Sequence, residues 1–185
     1  DVLGSRGLGD VYKRQGFMYL LSCGADWKLT GDAQARIDTL HAASLLMGRF
    51  NPVGYIRAWN NLEHRGFAII DCMMNLPLLY WASRETGDPR FQLIAQRHAD
   101  TTMEAFVRAD GSCNHIVCFD PLSGDVLDRP GGQGYASGSS WSRGQAWALY
   151  GFSLSYLLTG KEAYLNTAKR VAHYFILSLI HISEP

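Results

Sequence analysis

The sequence predicts an all-α fold made of stacked helical hairpins, an α/α solenoid or toroid. A Thr-Gly turn occurs three times, at Thr30-Gly31-Asp32, Thr86-Gly87-Asp88 and Thr159-Gly160-Lys161, always between two amphipathic stretches. Such hairpins bury their apolar faces by stacking side by side, and they come here without a sheet of their own. Two long connections, 48–66 and 110–139, separate them. Long loops in a compact domain commonly carry function.

The expected elements follow in order. A helix over Gly16–Leu29 turns at Gly31 into a second from Ala33 to about Met47. Phe67–Glu85 reads as a third helix, and Pro89 to about Arg108 as a fourth. Ser142–Leu158 and Glu162–Ile176 form the last pair. Gly fits the left-handed position that closes each first helix, and Asp32 and Asp88 are natural N-caps. Pro89 falls at a first helical position, where its missing N–H costs nothing. Asn114–Phe119 followed by Asp120–Gly124 reads as a short β-hairpin laid on the helices. Asp110-Gly111-Ser112 reads as a turn, and Asp120, Asp125 and Asp128 as solvated hairpin residues.

Composition removes several classes of function. The 185 residues carry 17 Lys and Arg against 17 Asp and Glu, so there is no basic surplus for nucleic acid or an anionic membrane. The apolar run Phe175–Ile182 is far too short to span a bilayer. Cys23, Cys72, Cys113 and Cys118 make no CxxC pair and have no His at zinc-finger spacing, which favours buried thiols over a disulfide framework or a metal site. No phosphate-binding loop, Ser-His-Asp order or EF-hand is present.

The stretch Ser140-Trp141-Ser142-Arg143-Gly144-Gln145-Ala146-Trp147, just after Gly131-Gly132-Gln133-Gly134-Tyr135, is the densest in chemistry. With Ser139 or Ser140 as N-cap, a helix starting there aims its free N–H groups at the loop, ready for an anion. Arg143 and Trp147 stand four apart and share a face. Arg grips a carboxylate with two hydrogen bonds and Trp offers a sugar ring a flat apolar surface. Together they point to a pocket for an acidic sugar; the same side chains also suit the packed inner wall of a helical domain. Asp71 lies in the apolar run Ala68-Ile69-Ile70-Asp71-Cys72-Met73-Met74-Asn75-Leu76, where desolvation raises a carboxyl pKa toward the range useful for proton transfer. A first-turn residue favoured by the helix dipole is the alternative. Asn75 shares its face. His115 reads either as a substrate or proton partner or as a packing residue, and Trp59 as a second aromatic wall or a loop anchor.

Asp71-Cys72-Met73-Met74-Asn75-Leu76-Pro77-Leu78-Leu79, Gln133-Gly134-Tyr135 and Trp141-Ser142-Arg143-Gly144-Gln145-Ala146-Trp147, in this order, resemble the unsaturated glucuronyl hydrolases, glycoside hydrolase family 88. The resemblance covers residues 16–176. It implies a partial (α/α)6 toroid with about half of the six helical hairpins and a small β-hairpin insertion. It also implies a substrate made by polysaccharide lyases, an oligosaccharide with a C4=C5 unsaturated uronic acid at its non-reducing end. Such enzymes hydrate the double bond and need no metal or cofactor. The family's catalytic Asp falls on Asp71, and its sugar-binding positions on Trp59, His115, Gln133, Arg143 and Trp147; Trp141 matches the motif without a defined role. A sister family acting on unsaturated rhamnogalacturonyl sugars tends to carry Arg-Gly-Asn-Gly-Trp where this chain has Arg143-Gly144-Gln145-Ala146-Trp147. It ranks second, beside a non-catalytic toroid that binds uronic acids.

Departures from the family pattern are local. Family members often have His where this chain has Gly132, and acidic residues at the positions of Ser137 and Gly138. A second family Asp belongs to a His-Asp-Leu-Gly-Phe segment that Gly16-Phe17-Met18-Tyr19 continues, with Gln15 standing where Leu is expected. The two ends explain this. Leu177–Pro185 can be encoded by a string whose reverse complement encodes Gly7–Gln15, and that string resembles a sequencing-library transposon adapter. Residues 1–15 and 177–185 are therefore expected to be non-native, and 16–176 a fragment of a catalytic toroid domain, inactive and poorly soluble as it stands.

Overall fold

The structure, a computed structural model, describes the backbone from residue 14 to 183 and the side chains from 14 to 178. Among the described residues, three helical hairpins are present. A helical segment, 14–21, leads into α1 (Cys23–Thr30), which turns at Gly31 into α2 (Ala33–Met47). Helix α3 (Leu76–Thr86) turns at Gly87 into α4 (Pro89–Ala105), and α5 (Ser142–Thr159) turns at Gly160 into α6 (Glu162–Ser183). The three turn glycines sit at φ 76°, 74° and 71°, the left-handed conformation that ends a helix without a Cβ penalty. Asp32 and Asp88 cap their helices by accepting from Gln34 N and Arg90 N.

The expected first helix is broken at Ser22, whose φ of −103° and ψ of −90° leave the helical region. Ser22 Oγ donates to Met18 O at 2.7 Å, the back-bonding that bends helices. Helix α4 ends at Ala105, short of the expected Arg108, because Val107 bridges to Cys113. Helix α6 runs on to Ser183, past Ile176.

The larger correction concerns 67–85. Phe67–Ile69 is a strand, β3, and Ile70–Asn75 is a 3-10 helix; the α-helix begins only at Leu76. Pro77 accounts for the start. Inside one long helix it would remove a hydrogen bond and clash with the preceding turn, whereas at the head of α3 it does neither. The residues before it are taken by long-range pairing. Strand β3 lies antiparallel to β4 (Ile116–Phe119), with Ala68 opposite Val117, and β4 pairs with β5 (Val126–Asp128). The expected hairpin is thus present, extended to three strands. A second ladder, β1 (Phe50–Asn51) with β2 (Tyr55–Ile56), folds the first long loop.

The first helix of each hairpin forms an inner layer. An apolar groove of about 480 Å³ is lined from segment 14–21, α1, α3 and α5 alone, by side chains that include Leu20, Trp27, Trp81, Tyr150 and Leu154. The core lies between this layer and α2, α4 and α6, around Leu46, Met73, Leu76, Leu79, Phe152 and Tyr164. Helix α5 lies directly on the 3-10 segment because Gly144 and Gly151 face it. A Cβ on Gly144 would come 3.0 Å from Ile70 Cγ2, and one on Gly151 would come 2.9 Å from Met73 O and collide with Met73 Cβ.

Candidate functional site

Where β3, the 3-10 segment, the residues before β4 and the first turn of α5 converge, the chain encloses a cavity of about 170 Å³. Its walls include Trp59, Asp71, His115, Gln133 and Arg143, five of the six candidate side chains, together with Arg14, Ile69, Ile116 and Gly132.

Asp71 is placed by the 3-10 turn, with a side chain 15 % exposed. Its Oδ2 is buried, lies 3.4 Å from His115 Nε2 and has no hydrogen-bond partner. Buried polar atoms are almost always paired, and the polar group set against this one is the His115 imidazole. His115 is buried and its Nδ1 accepts from Gln133 N at 2.9 Å. The imidazole lies 4.5 Å from the Trp141 ring, and the Arg143 guanidinium stands over the same indole at 4.2 Å. Arg143 Nη2 donates to Gln133 Oε1 at 2.7 Å, and the residue is exposed.

Trp59 has two kinds of neighbour. It lines the cavity, and it is anchored by rings of Phe67 and His64 at 5.9 and 5.5 Å. Arg49 sets its approach, donating through Nη2 to the Arg57 and Ala58 carbonyls just before it. Trp147 is outside the cavity lining. It sits one turn further along α5, half-buried, with Phe17 at 5.5 Å and Tyr150 at 6.1 Å. Asn75 is also elsewhere: its Oδ1 accepts from Phe17 N at 3.0 Å, tying segment 14–21 to the 3-10 helix.

Neither Ser139 nor Ser140 caps α5. Trp141 is the N-cap, with no side-chain cap bond. Ser139 Oγ donates to Ala136 O at 2.7 Å and Ser140 Oγ to Gln145 Oε1 at 2.9 Å, so both hydroxyls are taken by the preceding loop and its bracket. The first-turn N–H groups keep the polarity expected of an uncapped helix start.

Sequence reasoning missed the supports. Gln145 is 1 % exposed; its Oε1 also accepts from Cys113 N (3.0 Å), and its Nε2 donates to Gly111 O (2.7 Å) and Val171 O (3.2 Å). It therefore bolts the strand approach carrying His115 to α5 and α6. Trp141 separates His115 from Arg143. A Gln in the first turns of a helix was the available signal for the first; the second was marked by its motif but had no role assigned. Burial pushes the Cys72 and Cys113 thiols up to about 12, so both are inert. Among the described residues no group of three His, Cys, Asp or Glu could hold a metal ion, and no helix is long and apolar enough to cross a membrane.

No family model matches the chain. Individual proteins do. It is 43 % identical over 165 residues to the unsaturated glucuronyl hydrolase of Bacillus sp. strain GL1, covering 87 % of this chain and 44 % of that protein. An unsaturated chondroitin disaccharide hydrolase of Streptococcus pyogenes serotype M1 is 39 % identical over 166 residues, 87 % of this chain and 41 % of its own length. The crystal structure of unsaturated glucuronyl hydrolase from Bacillus sp. GL1, responsible for the degradation of glycosaminoglycan, superposes with a TM-score of 0.86 at 42 % identity, over 89 % of this chain and 45 % of that one.

The chain is a homologue of the unsaturated glucuronyl hydrolases. Its three hairpins are part of the (α/α)6 toroid of those enzymes, and it spans about 44 % of the length of the glucuronyl hydrolase it matches. A further solved glucuronyl hydrolase chain, with a TM-score of 0.85 and 42 % identity over 89 % of this chain and 45 % of its own, carries the saccharide dGlcA-Glc-Rha-Glc.

Proposed function

We propose that this chain is part of a glycoside hydrolase that removes the C4=C5 unsaturated glucuronyl residue from the non-reducing end of lyase-generated oligosaccharides. One observation carries the reading: Asp71 lines a cavity whose other walls include Arg143, Gln133, His115 and Trp59. A carboxyl group on such a wall can move a proton to and from a bound sugar, and a guanidinium beside it suits the uronate.

Asp71 delivers a proton to C4 as the double bond breaks, and water adds at C5 with loss of its own proton to the carboxylate. The resulting hemiketal opens and releases the rest of the saccharide. Arg143, steadied by Gln133 Oε1 and by the Trp141 face, holds the sugar carboxylate; Trp59 provides the flat wall. Trp147 binds the saccharide beyond the cavity, on the face of α5 it shares with Arg143. Arg14 lines the cavity at the position where the His-Asp-Leu-Gly-Phe pattern has its Asp, and the buried Gln15 Oε1 beside it has no hydrogen-bond partner. Both fit a native Asp-Leu pair replaced at 14 and 15.

The test is a protein of the relatives' full length carrying this segment, with Asp and Leu restored at 14 and 15. Asp71→Asn, which keeps shape and loses the proton, is expected to lower kcat by about 10²-fold or more, read as loss of the alkene's ultraviolet absorbance. Unchanged turnover in that variant would exclude Asp71 as the proton donor, and saccharide binding without consumption of the double bond in the restored protein would exclude the hydrolase.

A further inference from the structure

Gly132 lines the cavity beside His115. Gly132 has φ +60°, and a Cβ there would run into His115 Nδ1. The left-handed turn aims the Gln133 N–H at that nitrogen, 2.9 Å away. A backbone N–H can only donate, so Nδ1 accepts and bears no proton. The neutral ring then carries its proton on Nε2, 3.4 Å from Asp71 Oδ2. Turning the ring over would break the Gln133 bond inside a site where the imidazole is 6 % exposed and lies against Trp141.

We propose that Gly132 is a positioning residue: through the Gln133 amide it holds His115 as the Nε2–H tautomer, so the imidazole meets Asp71 and the substrate as a hydrogen-bond donor. A donor facing Oδ2 keeps that oxygen unprotonated and directs the transferable proton of Asp71 to Oδ1. His115 is thereby a fixed electrophilic neighbour, and the proton traffic belongs to Asp71 alone. This consequence for catalysis rests on the function proposed above; the tautomer does not.

The experiment is nitrogen-15 imidazole spectroscopy on the full chain, with His115 assigned by His115→Gln. The unmodified chain is expected to give the Nε2–H pattern for His115. Gly132→Ala forces the turn to rearrange, and the His115 signal moves toward the Nδ1–H form or a mixture while the other five histidines stay put. Gln133→Ala keeps the amide, so it retains the Nε2–H pattern although the Arg143 contact is lost; this variant and the unmodified chain carry the test if Gly132→Ala fails to fold. An Nδ1–H pattern in the unmodified chain overturns the proposal, as does an unaltered His115 pattern in folded Gly132→Ala. Turnover is never read, so the tautomer and the hydrolase assignment fail independently.

Discussion

Asp71 Oδ2 and His98 Nε2 are both buried without a hydrogen-bond partner, and their surroundings give them opposite meanings. Asp71 opens onto a cavity with a guanidinium across it. His98 is 1 % exposed inside the core, where its Nδ1 accepts from Ile56 N at 3.1 Å, and desolvation lowers its pKa to about 3. It is a neutral structural histidine. Above pH 6.5 the folded and unfolded forms are equally neutral there. Between pH 6.5 and about 3 the unfolded chain alone takes up a proton, so stability falls with pH by about 1.4 kcal/mol per unit. His98→Leu gives up the Ile56 acceptor at every pH and removes this slope. Unfolding free energies from urea titrations at pH 7 and pH 5 are expected to differ by about 2 kcal/mol less in the variant than in the unmodified chain. Single residues were legible in sequence where their own neighbourhood was odd, as with a carboxylate in an apolar run. Gln145 and Gly132 were not, because what defines them is Gly111, Cys113, Val171 or His115, brought in from elsewhere by the fold.

At the scale of elements, the hairpin turns were readable because Thr-Gly-Asp chemistry is local: the glycine φ angles and the Asp caps lie within a few residues of one another. Residues 67–75 were not, since their apolar run satisfies a helix as well as a strand and only β4 decides between them. That decision matters for the site, because the 3-10 turn it leaves behind carries Asp71. The turn in turn depends on Gly151, which lets α5 approach Met73 backbone. Gly151→Ala is compatible with helix geometry and relieves a glycine cost of about 0.5–1 kcal/mol, yet its methyl collides with Met73. The collision wins, and a net destabilisation of about 1–3 kcal/mol is expected from overpacking. Chemical denaturation measures it; a variant more stable than the parent would mean the helix and the 3-10 segment part without cost.

On the scale of the whole molecule, the three inner helices make a layer with one face packed on α2, α4 and α6 and the other lining the apolar groove of about 480 Å³. A six-hairpin toroid sets such faces around a common centre, and this chain matches 45 % of a solved one. Trp81, Tyr150 and Leu154 are only half-buried along that groove. Lys28, Arg84 and Glu85 also line it, but apolar side chains of this kind favour association, each one covered contributing about 1.5–3 kcal/mol. The 185-residue chain is therefore expected to self-associate with rising concentration, or to bind an apolar dye, through this face. Leu154→Glu places a charge in the groove without touching the cavity that holds Asp71. Its sedimentation profile should shift toward monomer at equal concentration, with the circular dichroism spectrum unchanged. Association that persists unaltered in a folded Leu154→Glu chain would move the contact to another surface.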